Sequence, residues 1–332
     1  MPQKDVVLTG DRPSGPLHLG HYVGSLRNRV ALQGRYNCFV MVADVQALAA
    51  NFDNPQRIRT HVREVCKDYL AVGIDPTKTT IFVQSRVSAL FELATYYMNL
   101  VSVARLERNP TIKEELQHKS FAENVTAGFL THPVSQAADI TAFKARYVPV
   151  GEDQLPLIEV SNEIVRKFNR VYNTDVLKEA EAVLDKVQRL VGIDGKTKAS
   201  KSLQNAIFLS DSVDVIKQKI QSMYTDPGHI KVTDPGKIEG NAVFAYLDAF
   251  YEDPDGLENL KTLYKKGGLG DSALKTLLNE TIQTLLGPIR ERRQSITDDT
   301  VDDVLEAGSI HASEIASRTL AEVRSAIGLW HP

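Results

Sequence analysis

The sequence has few cysteines, no long apolar run and no excess of positive charge. Only Cys38 and Cys66 occur among its 332 residues, which excludes a disulfide framework or a cysteine-rich zinc site. No stretch approaches the about 18 apolar residues of a membrane span, and the opening MPQKDVV lacks the apolar core of a signal peptide. The formal net charge is −3, so any RNA contact must use a local basic patch. We therefore expect a cytoplasmic protein with no membrane partner.

Residues 1 to about 185 alternate short apolar strands with helical patterns. The predicted strands are DVVLTG, NCFVMVAD, TTIFVQS and RYVPVG. Between the strands lie helical patterns such as NPQRIRTHVREVCKDYLAVG, residues 54–73, which Pro55 opens and Gly73 closes. Strands that alternate with helices indicate a parallel sheet with right-handed crossovers. The predicted fold is therefore α/β: a doubly wound, Rossmann-like nucleotide-binding domain.

After about residue 190 the strand patterns fade and helical periodicity dominates. We predict a Rossmann-like catalytic domain over 1–188, with a lysine-rich mobile loop and an inserted all-helical domain over 189–304. The last helix, from about 305 to 332, has a broadly apolar face. It is expected to pack back and complete the first domain.

The stretch PSGPLHLGHYVGSL, residues 13–26, joins the first strand to a helix and carries two histidines. A strand, a Gly/Pro turn and a helix N-terminus form a natural anion site, because free backbone N–H groups and the helix dipole converge there. The alternative is a capped helix with two surface histidines. Ligands of such sheets bind beyond the carboxyl ends of the strands, so we expect Gly10 to His21, Asp44 to Gln46 and Gly151 to Gln154 to line one edge.

A second cationic segment, DGKTKASKSLQNAIFLS, lies at the predicted domain junction. Lys196, Lys198 and Lys201 stand in a Gly-, Ser- and Thr-containing stretch before an apolar run. Lysines suit a mobile loop that closes over polyphosphate, because the ammonium group is a movable point charge. The alternative is a solvated linker. Together with the histidine turn, this segment predicts cations from both ends of the nucleotide-binding domain.

These residues resemble two signatures of the class I aminoacyl-tRNA synthetases. PLHLGH resembles the "HIGH" signature, and KASKS resembles the "KMSKS" signature. VPVGEDQ (148–154) and HPVSQAADI (132–140) are similar to internal motifs of the bacterial tryptophanyl-tRNA synthetases, and the resemblance runs through almost the whole chain. Four such motifs in the right order within a βα pattern are specific, although each alone is weak.

The resemblance implies ATP as substrate, with Mg²⁺ on the phosphates and no permanently bound metal. It assigns catalytic roles to His18, His21, Lys113, Lys198 and Lys201. It also implies that ATP contacts three segments: Arg12, His18, Gly20 and His21; Gly151, Glu152 and Asp153; and Lys198, Ser200 and Lys201. In this interpretation Gly20 lets adenine approach the backbone, and Asp153 accepts from the ribose hydroxyls. Lys113 is nearly as well explained as a helix-surface lysine.

For the amino acid, the resemblance implies a pocket made of Gln46, His132, Gln136, Asp139, Val148, Val150 and Gln154. Asp139 would accept the indole N–H of tryptophan, and Gln154 would reach the ammonium group. An N-cap or a buried ion pair would equally explain Asp139 in its largely uncharged stretch. A phenol O–H could also donate to Asp139, so a tyrosine enzyme remains an alternative.

Several positions depart from the common bacterial pattern. Ala199 replaces the usual Met of the lysine signature, and Arg12, Gln46, His132 and Gln136 also differ. The pocket is therefore expected to be more polar and to resemble a divergent second type of bacterial tryptophan enzyme. A duplicated synthetase that binds tryptophan without charging tRNA is the alternative from another class.

The resemblance also implies tRNA(Trp) and L-tryptophan as partners, and no binding of DNA. It further implies a homodimer whose interface includes RNPTIKEE, residues 108–115. Candidate tRNA contacts in the second domain are Lys217, Lys219, Lys265, Lys266, Arg290, Arg292 and Arg293. Solvated helix surfaces would explain these cations as well.

Overall fold

The architecture was obtained from a computed structural model. It describes residues 4–49, 51–118, 125–184, 190–201 and 203–330.

A five-stranded, fully parallel sheet forms the centre of the first domain. Its order is β3-β2-β1-β4-β5, with β1 Val6–Asp11, β2 Asn37–Val42, β3 Thr79–Val83, β4 Tyr147–Val150 and β5 Glu181–Leu184. The four predicted strands and the α/β class are confirmed. β5 was not predicted, because EAVL is a short edge strand with both ends exposed and carries little apolar signal.

The order of this sheet reverses at β1, between β2 on one side and β4 on the other. From β1 the chain adds β2 and then β3 on one side. It then crosses back and places β4 on the other side of β1. In open α/β sheets this switch point opens a crevice beyond the carboxyl ends of the strands. The loops that follow β1 and β4 therefore flank the expected ligand position.

Ten helices belong to the described part of the chain before β5: α1 Leu19–His21, α2 Arg27–Leu32, α3 Asp44–Leu48, α4 Pro55–Ala71, α5 Ala89–Met98, α6 Val103–Glu107, α7 Pro110–His118, α8 Ala127–Leu130, α9 His132–Ala142 and α10 Leu155–Val171. A π-helix, Tyr22–Leu26, connects α1 to α2, and short 3₁₀ turns, Gln84–Arg86 and Glu152–Gln154, follow β3 and β4. The predicted helix over 54–73 is α4, with Asn54 as its cap and Pro55 at its first turn.

The second half of the chain is helical, as its periodicity predicts. It contains α11 Val213–Gln221, α12 Ala242–Phe250, α13 Pro254–Lys266, α14 Asp271–Ser295 and α15 Asp298–Ile327. Ser212, Asn241 and Asp253 cap the first three through side-chain oxygens. Helix α15 starts at Asp298 rather than near 305, because Thr297 caps it by accepting from the Thr300 N–H.

Two hydrophobic clusters lie on the two sides of the sheet. One joins Val40 and Ile81 of the sheet, and Leu17 of the turn after β1, to Phe244 and Leu278 of the helical half. The other joins Phe39 and Phe82 of the sheet to residues of α9 and α10 such as Ala138 and Phe168. Helix α15 contributes to both clusters and lies directly on β3. At Gly308 any side chain would collide with the Ile81 carbonyl.

Candidate active site

The carboxyl ends of β1, β2 and β4 meet at one edge of the sheet, as predicted. Parallel pairing aligns Asp11 of β1 with Val42 of β2, so the turn after Gly10 and the start of α3 emerge side by side. The turn Glu152–Gln154 follows β4 at the same edge. A fourth segment, Gln84–Arg86, joins them after β3.

The two histidines of the first turn cap each other's helix end. His18 is the N-cap of α1, and its Nδ1 accepts from the Gly20 N–H at 3.1 Å. The His21 Nδ1 accepts in return from the His18 N–H at 3.2 Å, and the ring centroids lie 3.9 Å apart. Because both Nδ1 atoms accept, each ring carries its hydrogen on Nε2. The pair therefore presents two ring N–H donors beside a helix N-terminus.

The histidines are neutral rather than cationic. Burial, aided by the nearby Lys201 and Lys198, lowers the pKa of His18 to about 4. Burial and the neighbouring His18 ring lower the pKa of His21 well below its usual range. The alternative of two surface histidines is wrong, since His18 is only 6% exposed. The prediction of cations from this turn is also wrong, because neutral donors replace them.

Gly20 is required by this capping arrangement. A Cβ at Gly20 would lie 2.8 Å from Cε1 and 2.9 Å from Nδ1 of His18. A side chain there would push the His18 ring off its cap position.

A buried ion pair that sequence reasoning missed lies at the end of β1. Asp11 accepts from Arg29 Nη1 at 2.6 Å and from the Tyr69 hydroxyl at 2.7 Å. Burial would raise the pKa of Asp11, but the charge and hydrogen bond of Arg29, together with the nearby His21 and Lys201, outweigh it and hold that pKa well below its usual range. Asp11 is therefore a fixed negative charge near His21 and Lys201.

The lysine segment is joined to the histidine turn by backbone hydrogen bonds. The Leu19 N–H donates to the Ile207 carbonyl and the Leu209 N–H donates to the Leu17 carbonyl, both at 2.9 Å. These bonds close the antiparallel bridge between His18 and Phe208. Two motifs that are far apart in sequence thus share one site.

Lys201 lies over the first turn, whereas Lys198 faces solvent. The aliphatic chain of Lys201 packs against Gly15, and its Nζ lies 3.5 Å from the Arg12 carbonyl oxygen. Burial lowers the pKa of Lys201 to about 8, so it is mostly charged at pH 7. Lys198 and Arg12 are exposed, and Ala199 is buried near Gly20. This segment supplies the positive charge that the histidines lack.

Asn205 organises the lysine segment, and sequence reasoning missed it. Its Nδ2 donates to Asp194, to the Thr197 hydroxyl and to the Lys198 carbonyl. Its Oδ1 accepts from the Ser200 N–H at 2.9 Å. Asn205 is buried, and the signal available in the sequence was a polar residue directly before the apolar run AIFL.

Asp139 lies in the second half of α9 and is 1% exposed. Gln84 Nε2 donates to both of its oxygens at 3.0 Å, and Gln46 Nε2 donates to Oδ2 at 2.6 Å. Burial raises the pKa of Asp139 to about 7 against these two bonds. Asp139 is therefore neither an N-cap nor half of an ion pair. Gln84 was missed, although it is one of the last two residues of the predicted strand TTIFVQS, just beyond the observed end of β3.

His132 precedes Asp139 by two turns of α9 and Gln136 precedes it by one, so the three residues share a helix face. The buried Oε1 of Gln136 has no protein partner in the described part of the chain. Val148 is buried and Val150 half-buried on β4, and both contact the cluster that includes α9. The predicted pocket residues on α3, α9 and β4 are thus brought to one region.

The GEDQ turn, residues 151–154, faces the same edge. Gln154 Nε2 donates to Asp153 Oδ2 at 3.0 Å, while Gly151 and Glu152 are exposed. The Thr111 hydroxyl donates to the Asp153 carbonyl at 2.6 Å. This bond ties the start of α7 to the turn, and the exposed Lys113 follows on that helix.

Three of the candidate RNA-binding cations have partners within the chain instead. Arg292 donates to the Ala71 carbonyl, Arg293 to Asp68, and Lys219 to Asp211. Arg290 is half-buried, and Lys217, Lys265 and Lys266 are exposed. Only these exposed lysines keep the geometry expected of phosphate contacts.

Two features are absent from the described residues. No group of three or more His, Cys, Asp or Glu side chains there has the arrangement of metal ligands. No helix among them has the length and apolar character needed to cross a membrane.

Comparisons with known proteins agree with this geometry. Residues 3–287 match the family model of tRNA synthetases class I (W and Y). The tryptophan–tRNA ligase of Clostridium longisporum is 58% identical, covering 98% of this chain and 97% of that protein. The enzyme of the same name from Lactococcus lactis is 56% identical, with 98% of each chain covered. Tryptophanyl-tRNA synthetase from Campylobacter jejuni, crystallised with ADP and tryptophan, superposes with a TM-score of 0.85 at 30% identity, covering 98% of this chain and 100% of that one.

Proposed function

This chain belongs to the class I tRNA synthetases of the tryptophan and tyrosine family, and we propose that it is a tryptophan–tRNA ligase. The resemblance predicted from the histidine and lysine motifs is thereby confirmed. The enzyme activates L-tryptophan with ATP and then transfers the tryptophanyl group to tRNA(Trp).

In the first step a carboxylate oxygen of tryptophan attacks the α-phosphorus of ATP. The bond from that phosphorus to the β-phosphate oxygen breaks, which gives tryptophanyl-adenylate and pyrophosphate. In the second step a ribose hydroxyl of the terminal adenosine of tRNA attacks the adenylate carbonyl and AMP leaves. Such reactions depend mainly on alignment and on stabilising charge at the phosphates.

The antiparallel pairing of 17–19 with 207–209 carries this proposal. It brings neutral His18 and His21 donors and the charged Lys201 to the helix N-terminus at the switch point of the sheet. We assign the phosphates to these groups, with Lys198 and Lys113 approaching from exposed positions. Mg²⁺ enters with ATP as part of the substrate.

We assign the indole N–H to Asp139, whose carboxylate is held by Gln46 and Gln84. A wrong side chain that cannot donate to this buried acceptor is rejected by about 10⁴-fold. Gln136, with its unpartnered oxygen, and His132 line the same helix face, and Gln154 is assigned to the ammonium group. Gly151, Glu152 and Asp153 are assigned to adenosine together with Arg12, Gly20 and Ser200.

We further propose that the enzyme is cytoplasmic, because its substrates are found in that compartment. We also propose that it is a homodimer. The exposed Met98 and Val103 adjoin the segment 108–115 and would be covered by a second copy. Light scattering on the purified chain tests this: a monomer mass at micromolar concentration would contradict it.

The first test is amino-acid-dependent ATP–pyrophosphate exchange, with each amino acid supplied separately. We expect exchange with tryptophan alone, lost in Asp139→Ala and kept in the surface control Asp175→Ala. Exchange with tyrosine would identify a tyrosine enzyme. Absence of exchange from folded protein, together with tryptophan binding, would indicate a non-charging paralogue.

A further inference from the structure

Helix α14 is connected to the histidine turn through one buried carboxylate. Asp68 of α4 is fully buried. Its Oδ2 accepts from the backbone N–H of Leu17 at 3.0 Å, and its Oδ1 accepts from Nε of Arg293 at 2.8 Å. Arg293 also pairs with Glu64 of α4. Asp68 therefore bridges α14 to the residue that precedes His18.

Both backbone polar groups of Leu17 are hydrogen-bonded. Its N–H is held by Asp68, and its carbonyl accepts from the Leu209 N–H. The next residue, His18, caps α1 with its ring. A shift of Asp68 would therefore displace the backbone on which the two ring donors are built.

Helix α14 is suited to transmit the position of the helical half of the chain. Its first turns bury Leu274 and Leu278 against α11 and α12, and its last turn places Arg293 on α4. A continuous helix connects these two ends. The placement of the helical half thus reaches the phosphate side of the site through Arg293, Asp68 and Leu17.

We propose that Asp68 and Arg293 are positioning residues for ATP: together they set the His18 turn according to where α14 lies. This inference rests on the proposed function, because it takes ATP to be the ligand of that turn. Neither side chain touches the reacting atoms. Their effect is specific to the nucleotide, since the tryptophan pocket on α9 has its own hydrogen bonds from Gln46 and Gln84.

The test compares steady-state exchange kinetics for both substrates in Asp68→Asn, Arg293→Gln and Arg293→Lys. We expect kcat/KM for ATP to fall about tenfold to a hundredfold in Asp68→Asn and Arg293→Gln, because small misplacements of catalytic groups are costly. The KM for tryptophan should change less than about threefold, and Arg293→Lys should recover part of the loss because its ammonium restores charge without the planar fork.

The matched control is Arg63→Gln. Arg63 pairs with Asp302 and so joins α4 to α15, but it is exposed and makes no contact with the turn. This variant should keep wild-type kinetics for both substrates.

A double variant separates positioning from stability. In Asp68→Asn with Arg293→Gln no buried charge is left unpaired, so its melting temperature should recover toward wild type. Its kcat/KM for ATP should nevertheless stay low. Recovery of ATP use in step with the melting temperature, or equal changes in KM for both substrates, would overturn the inference. Absence of tryptophan-dependent exchange in the wild type would instead overturn the proposed function.

Discussion

At the level of single residues, hydrogen bonds explain why the two histidines of the first turn are three residues apart. His18 caps α1 with its ring, and His21 returns a bond to the His18 N–H. A separation of three residues is what such reciprocal capping requires. The same bonds direct both Nε2–H groups away from the helix. The bonds that cap the N-terminus of α1 therefore also leave two neutral ring N–H donors available.

Asp139, to which we assign the indole N–H, is a buried carboxyl with a raised pKa. Burial raises its pKa to about 7, although Gln84 and Gln46 both donate to it. The folded chain thus binds this proton more tightly than the unfolded chain does. The contribution of Asp139 to stability is fully present below about pH 4 and is lost as the pH rises through 7.

The raised pKa of Asp139 predicts an acid limb in the use of tryptophan. Below about pH 7 a protonated carboxyl cannot accept the indole N–H with full strength. We expect kcat/KM for tryptophan in the exchange reaction to fall about tenfold per pH unit below 7 and to be flat above it. The limb should disappear in Asp139→Asn, whose kcat/KM should be low throughout.

With tryptophan saturating, the bound indole favours the ionised form of Asp139, so the limb should be absent from kcat/KM for ATP. His18, with a pKa of about 4, does not titrate in this range. An unchanged acid limb in Asp139→Asn would contradict the assignment.

At the scale of elements, the lysine segment is held by one side chain. Asn205 bonds to Thr197, Lys198 and Ser200 of the loop, and it lies just before the segment 207–209 that pairs with the histidine turn. The position of Lys201 over Gly15 depends on this arrangement. A Gly- and Ser-containing stretch that would otherwise be a solvated linker becomes part of the site.

Asn205→Ala should release the lysine segment while leaving the sheet intact. We expect kcat for exchange to fall about tenfold or more, because each misplaced charge-stabilising donor costs at least that. Unfolding in urea should show a loss of about 1–3 kcal/mol for the unsatisfied partners of Asn205. Leu203→Ala, at a 60% exposed position of the same loop, is the control and should match wild type. Wild-type kinetics in Asn205→Ala would show that the loop is ordered without it.

At the scale of the whole molecule, the sheet and the helical half share one core. Leu17, Val40 and Ile81 belong to the same cluster as Phe244 and Leu278. Helix α15 spans this cluster and the one on the other side of the sheet. Separate cores would permit independent unfolding, whereas a shared core couples the two halves.

We therefore predict one cooperative unfolding transition. Far-UV circular dichroism, which follows the helices, and near-UV circular dichroism of the buried tyrosines should give the same urea midpoint. Tyr69 and Tyr97 lie in the sheet half, and Tyr246 and Tyr264 in the helical half. The single Trp330 is 89% exposed, so its signal should not follow the unfolding of either half. Loss of helical signal at a lower urea concentration would contradict the shared core.

The amino-acid sequence alone determined the elements whose signals are local. Apolar runs predicted β1 to β4, helical periodicity and caps predicted α4 and the helical half, and the two motifs predicted the family. These features depend on residues that are close in the chain, where backbone preferences and side-chain spacing act directly.

Tertiary structure alone decided the properties that depend on burial and on distant neighbours. The neutral state of His18, the bonds from Gln84 to Asp139, and the bridge from Arg293 through Asp68 to Leu17 each join segments that are far apart in sequence. The edge strand β5 likewise exists through its pairing with β4. Charge states and long-range hydrogen bonds follow from the dielectric surroundings and partners that only the folded chain provides.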